Sequence, residues 1–213
     1  MKLWEIKKEA LRLMLPDRWD IVDEESVRLC YNDESCKDYL AGMISAINRC
    51  FSSIEEKRVL PEKAVLIDGI KDTERSTGAF YRYNLDSLPD FFDIEQLAME
   101  SDNGEYVTNS DFRREGNMLV LPAFDENKKR YTLIYYPRLT RLAYNASDST
   151  ELSIPDNIAE QIPFFVKGEL FRHDEPGEAA EARNCYEQSL DEIKNKKTAV
   201  QSSVVSVWSV GEI

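Results

Sequence analysis

Histidine is nearly missing from this chain: 213 residues contain one, His173. A single imidazole removes most acid–base and metal-centred mechanisms, because histidine is the side chain that exchanges protons near neutral pH and the commonest metal ligand. Cysteine is scarce as well. Cys30, Cys36, Cys50 and Cys185 include no Cys-x-x-Cys pair, a spacing unsuited to zinc, and they are assigned neither a metal nor a redox role. Cys50 and Cys185 are expected to be ordinary packed thiols. The glycine motifs of cofactor sites are missing too: no Gly-x-Gly-x-x-Gly, no phosphate-cradling loop ending in Lys-Ser/Thr, and no Gly-x-Ser-x-Gly nucleophile turn. The expectation is no catalytic residue, no cofactor and no metal, and so no enzyme. No apolar run approaches the roughly 20 residues that cross a bilayer. The opening Met-Lys-Leu-Trp-Glu-Ile-Lys-Lys-Glu interrupts with charge where a signal peptide needs apolar residues, so synthesis and retention in the cytoplasm, away from membranes, are expected.

Basic residues are in deficit. Lys and Arg number 27 against 40 Asp and Glu, for a net charge of −13. Gripping a phosphate backbone needs clustered cations, so this balance excludes a nucleic-acid clamp. Acidic pairs such as Glu55-Glu56 and Asp174-Glu175 read as solvated faces or helix caps in so acidic a background.

What is present is periodic. Leu3, Ile6, Ala10, Leu13 and Met14 recur at helical spacing and Pro16 stops the run. Trp19–Val22 is apolar and extended in character, and 24–31 suits a short helix or a loop. A second helix spans about Cys36 to Lys57, its seam Leu40, Ile44, Ile47, Phe51 and Ile54 asking for a helical partner, with Asp33 and Ser35 as candidate caps. After Pro61 the period shortens to that of strands: 65–67, 79–83, 94–100, 105–108, 118–121 and 131–136 are short β-branched or aromatic runs. Turn residues at Gly116-Asn117 and at Asp125–Lys128 suggest a hairpin or three-stranded meander over 105–136.

Helical spacing returns with Ile158, Ile162, Phe165, Val166 and Leu170. It is repeated by the smaller Ala179, Ala182, Tyr186, Ser189, Leu190 and Ile193. Small residues facing large ones let two helices approach closely, which makes a helical hairpin. Pro176 suits the first position of the second helix, behind Asp174 or Glu175 as cap. Pro163 means that the first helix either begins near Gln161 or kinks there. The final TAVQSSVVSVWSVGEI is poor in charge and rich in Val and Ser, and is expected to be an extended, strand-prone tail that docks on a partner.

The fold class expected is α+β. A helical bundle built from N-terminal helices (1–60) and a C-terminal hairpin (151–197) is split by a β-rich insertion (61–150), with an extended docking tail (198–213).

The segment PFFVKGELFRHDEPGEAAEARNCYEQSL resembles the C-terminal helical hairpin of tailed-phage head-to-tail connector proteins, the adaptor and tail-tubular family of the neck. An aromatic helix, an Asp-Glu-Pro turn and an Ala-rich helix with an Arg-Asn-x-Tyr centre carry the likeness. LWEIKKEALRLM at the N-terminus and LDSLPDFFDIEQ at 85–96 add weaker support. The resemblance implies a structural virion protein, made in the host cytoplasm. Twelve copies would ring the DNA channel below the portal and offer a platform to the next neck or tail protein. DNA would pass through such a ring without sequence-specific binding, and an acidic lumen would suit that passage. Val204, Val205, Val207, Trp208 and Val210 are the candidate portal-docking residues. Arg138 and Arg141, set against Glu178 and Glu181 of a neighbouring copy, are the candidate subunit contacts. The alternatives are another neck component, a stopper or tail-completion protein, or a general cytoplasmic interaction module.

Overall fold

The computed structural model describes residues 1–68, 74–75, 80–100, 106–108, 112–122 and 130–208. The chain is mixed α+β and divides into two compact units. Met1–Val59 and Leu139–Ile213 make one, and Leu60–Arg138 the other. The β-rich unit is therefore an insertion in a helical one. The insertion ends earlier than expected, because 139–150 belongs to the helical unit: Leu3 and Trp4 donate their N–H groups to the carbonyls of Thr150 and Asp148, both at 2.9 Å.

The helical unit opens with α1 (Leu3–Met14), α2 (Glu24–Cys30) and α3 (Lys37–Lys57) and closes with α4 (Asp156–Ala159), α5 (Ile162–Leu170) and α6 (Pro176–Trp208). α1 buries Leu3, Ile6, Ala10, Leu11 and Met14, its 3.6-residue stripe, and ends before Pro16. The following segment, expected apolar and extended over 19–22, buries Ile21 but turns at 19–20 and leaves Trp19 80% exposed. Asp23 caps α2 by accepting from the Ser26 N–H at 2.9 Å. The expected caps of α3 are displaced. Its N-cap is Cys36, while Asp33 spends its carboxylate on the Ser35 N–H and hydroxyl. The predicted seam of α3 is buried as a block: Leu40, Ile44, Ile47, Phe51 and Ile54, joined by Met43 and Cys50.

In the insertion, β1 (Lys63–Asp68), β8 (Arg130–Pro137), β4 (Phe91–Glu100) and β5 (Tyr106–Thr108) form one antiparallel sheet in the order β1-β8-β4-β5. A second, β2-β3-β7-β6, is built from β2 (Glu74–Arg75), β3 (Phe80–Asn84), β7 (Met118–Pro122) and β6 (Arg113–Glu115). Alternate residues supply one core shared by both sheets. Ile67, Leu97, Tyr131, Leu133 and Tyr135 come from the first, and Tyr83, Leu119 and Leu121 from the second. Gly116, at φ 61°, and Asn117 form the two-residue turn joining β6 to β7, where a positive φ favours glycine. Of the hairpin or three-stranded meander expected over 105–136, the described residues form the hairpin, β6–β7, while β5 and β8 lie in the other sheet. Pairing is decided by distant strands, which local turn residues do not encode. The turn expected at 125–128 lies outside the described residues.

Candidate functional site

The α5–α6 hairpin is the part of the helical unit that the sequence marks most clearly, and its close approach has a definite cause. α5 starts at Ile162 with Pro163 in its first turn, where the missing N–H has no helical partner to lose. The helix thus begins beside the proline rather than kinking at it. Ile162, Phe165 and Val166 on α5 are buried with Ala179, Ala182, Tyr186 and Leu190 on α6. At Gly168 a Cβ would stand 2.7 Å from Arg183 Cγ and 3.2 Å from the Ala179 carbonyl oxygen, so the helices meet where only hydrogen fits.

Polar ties fix the hairpin to the bundle. The Arg183 guanidinium lies 4.1 Å from the centroid of the Phe165 ring and pairs with Glu169, which Arg49 of α3 also holds at 2.9 Å. Phe165 and Tyr186 pack edge to face at 5.0 Å. The Tyr186 hydroxyl donates to Ser53 at 3.0 Å and accepts from the Cys50 thiol at 3.7 Å, both on α3. Burial pushes Tyr186 well above the usual phenol range, and burial likewise raises the Cys50 thiol to about 12, so neither titrates near neutrality. Lys167 donates to the Leu13 carbonyl in the last turn of α1 at 3.0 Å and pairs with Glu178 at 2.6 Å.

The second half of α6 behaves differently. Among the described side chains of α6, which end at Lys197, Leu190 is the last fully buried one, and from Asp191 to Lys197 only Ile193 and Lys197 are even half-buried. The backbone continues helical through Trp208. The expected extended tail is thus corrected for 198–208. Valine and serine content suggested a strand, but no Pro or Gly occurs between Gly177 and Gly211, and lengthening an existing helix costs far less than starting one. Val204, Val205, Val207 and Trp208 fall within this helix, and Val210 lies outside the described residues. Cys185, expected to be packed, is exposed.

The four candidate subunit-contact residues do not share one environment. Arg141 is held within the chain, its guanidinium on both oxygens of Glu55 at 2.9 and 2.8 Å and on Ser52 at 3.0 Å. Glu178 is held by Lys167. The Arg138 guanidinium lies over the Phe92 ring at 5.8 Å, and Glu181 is exposed.

Two buried charges depart from the sequence reading: Glu55, expected on a solvated face or at a helix cap, is buried, and Lys7 drew no expectation. Glu55, 3% exposed, also accepts the Leu139 N–H at 2.7 Å, so it fastens the chain where it re-enters the helical unit. Asn48, two turns further back, exchanges two 2.9 Å hydrogen bonds with the Leu142 backbone. A polar stripe at Asn48, Ser52 and Glu55, spaced four and three along an otherwise apolar helix, was the available signal. Lys7 is equally buried and reaches Asp148 and the Tyr31 hydroxyl, each at 2.6 Å. Its signal was weaker, a lone lysine beside the apolar stripe of α1. Near Asn48 a shallow groove of about 340 Å³ is lined by Ile44, Ser45, Arg49, Leu142 and the exposed Tyr144.

Among the described residues no group of three or more His, Cys, Asp or Glu side chains is placed to hold a metal ion, and no helix is long and apolar enough to cross a membrane. The arrangement offers surfaces for binding: a braced hairpin and the helix that runs on from it. No protein-family model matches the chain, and no curated protein matches it.

Proposed function

We propose that this chain is a structural virion protein, a head-to-tail adaptor of a tailed bacteriophage. Its copies ring the DNA channel beneath the portal and present a platform to the next neck or tail component. The reading rests on the resemblance of the hairpin text and on one structural observation, the proportions of α6. At about 1.5 Å per residue its 33 residues run about 50 Å, whereas the nine of α5 run about 14 Å. The first half closes the bundle through Gly168 and Tyr186, and the second extends beyond Leu190 as a helical arm. In that arm the helical register brings positions 200, 204, 207 and 208 to one face, and the sequence supplies Val, Val, Val and Trp there. A helical arm of this kind suits insertion into a groove of a partner better than a strand added to a sheet edge. The partner proposed is the portal ring.

With Arg141 and Glu178 engaged inside the chain, Arg138 and Glu181 are the pair retained for contact between adjacent copies. Each contact can be weak, because a ring presents many at once and binding becomes cooperative through effective concentration. The net charge of −13 suits a channel that DNA traverses without sticking. The work proposed is binding, with no catalytic step. A second reading, a stopper or tail-completion protein of the same neck, draws support from the insertion, whose two sheets enclose a core of their own.

Electron microscopy of the chain mixed with the portal ring of its own virus, with and without residues 198–213, tests the proposal. A stacked ring that needs both the portal and the arm is the expected result. Binding to a tail-side component but not to the portal would favour the second reading. No association with either at near-physiological salt would leave a general interaction module.

A further inference from the structure

Among the described residues six large hydrophobic side chains are exposed, and four of them, Trp19, Val22, Leu29 and Tyr31, fall in the stretch between α1 and α3. The backbone beneath each is fastened, so the exposure is built in. Trp19 stands between Arg18 and Asp20, whose side chains join in a two-bond fork at 2.8 Å, and Arg18 also reaches Asp33 at 2.8 Å and Ser35 at 2.9 Å. Ile21, two residues on, is 1% exposed and anchors the turn, yet Trp19 is 80% exposed. Val22 precedes the cap of α2, where an apolar residue ordinarily folds onto the fourth residue of the helix. Here that residue, Val27, is fully buried while Val22 stays 62% exposed, its N–H held by the Ser26 hydroxyl at 2.9 Å. Leu29, 64% exposed, lies about 160° and 100° round the helix from the buried Val27 and Cys30. The Tyr31 hydroxyl accepts from Lys7 and donates to Asp148. Apolar side chains on so fixed a base lose little freedom when they are covered.

The charge around them has one sign. Residues 17–37 hold seven acids against three bases. Each base is engaged within the stretch, Arg18 as above, Arg28 with Glu24 and Glu25, and Lys37 with Glu34. Like charge turns away nucleic acid, an anionic membrane and the same surface of a second copy. The stretch is a helix with its flanking turns and offers no strand edge to extend. We propose that Trp19, Val22 and Leu29 form a docking surface for a cationic amphipathic helix of another protein. The apolar stripe of that helix covers the three side chains, and its Lys and Arg residues meet Asp17, Asp20, Asp23 and Glu25 at the rim. Trp19 is the anchor, since a tryptophan desolvated within a contact carries a large share of the binding energy. The inference is independent of the adaptor reading and does not use the α6 arm.

The test uses the full chain and two synthetic helical peptides with the same leucine stripe, one carrying lysine on its polar face and the other glutamate. Titration calorimetry reads the binding. The lysine peptide should bind and the glutamate peptide should not. Trp19→Ser with Leu29→Ser should weaken the lysine peptide about tenfold or more, as loss of a hot spot does. Tyr144→Ser, which removes an exposed aromatic ring elsewhere, should leave it unchanged. Asp17→Lys with Glu25→Lys should weaken the lysine peptide and admit the glutamate one with every apolar side chain in place, which keeps the proposal testable if the serine variant misfolds. No binding of the lysine peptide, or equal binding to every variant, would overturn the proposal. Dimerisation of the chain, or flotation with phosphatidylserine vesicles, that is lost in the serine variant would also overturn it, giving the surface to a second copy or to a membrane.

Discussion

Glu55 carries a burial cost that only its partners offset. A carboxylate that is 3% exposed is tolerable because a guanidinium and a backbone N–H meet both of its oxygens. Arg141→Met removes the cation and leaves the charge, which should cost about 3 kcal/mol, as breaking one side of a buried pair does. The urea midpoint reads it. The double variant Glu55→Gln with Arg141→Met should recover part of that loss, since the orphaned charge is what costs most. If the single change left the midpoint unmoved, the clamp would contribute nothing to stability. Asp33 makes a different kind of contribution. Bonds from the Ser35 hydroxyl and N–H, and then from Arg18, pull its carboxyl down from 3.8 to about 2. A folded-state value below the unfolded one means stability that is present above about pH 4 and lost as pH falls through about 2. Asp33→Asn should therefore flatten the acid side of the melting-temperature profile between those values and shift it downward above them. An unchanged acid limb would assign that limb to other carboxylates.

Helices and strands were legible to the extent that they are local. Period 3.6 marked α1, α3, α5 and the first half of α6, because each buries one face, and short β-branched or aromatic runs marked β1, β3, β4, β5, β7 and β8. Strand partners were not legible, since nothing between 105 and 136 states that β5 joins β4 while β7 joins β3. The end of α6 was misread for a physical reason: β-branched content is a weak preference, and a helix already formed overrides it. The hairpin was read correctly as small residues against large, but the point of closest approach, Gly168, emerges only with the Arg183 side chain and the Ala179 carbonyl in place. Gly168→Leu should force α5 from α6 and displace Arg183 from Phe165 and Glu169, at a cost of about 2–3 kcal/mol by overpacking. The thermal midpoint reads the loss. Gly168→Ala is the sensitive control, as it gains about 1 kcal/mol of helix propensity against the same contact. A stabilised leucine variant would mean that the two helices are not in close contact there.

At the scale of the molecule, the organisation depends on both ends of the chain building one unit while 79 residues between them, Leu60–Arg138, build another. Composition announced the change at Pro61 but not its reversal. The return is fixed by Glu55 and Asn48 fastening 139–142, contacts between residues more than 80 positions apart. The same contacts keep the two ends of the helical unit at the junction close together, because Val59 lies four residues beyond Glu55 and Leu139 bonds directly to it. Replacing Leu60–Arg138 with a short Gly/Ser linker should therefore leave a helical unit that unfolds cooperatively, with its helical circular dichroism retained. Closing so short a gap costs little loop entropy. Because the hairpin and the α6 arm both lie in that unit, the shortened chain should still bind the portal if the arm is the docking element. Folding retained with portal binding lost would move the docking surface into the β-rich unit and end the case for α6. Folding lost would show that the helical unit needs the insertion for its stability, and the arm would then be tested in the intact chain by truncation at Lys197.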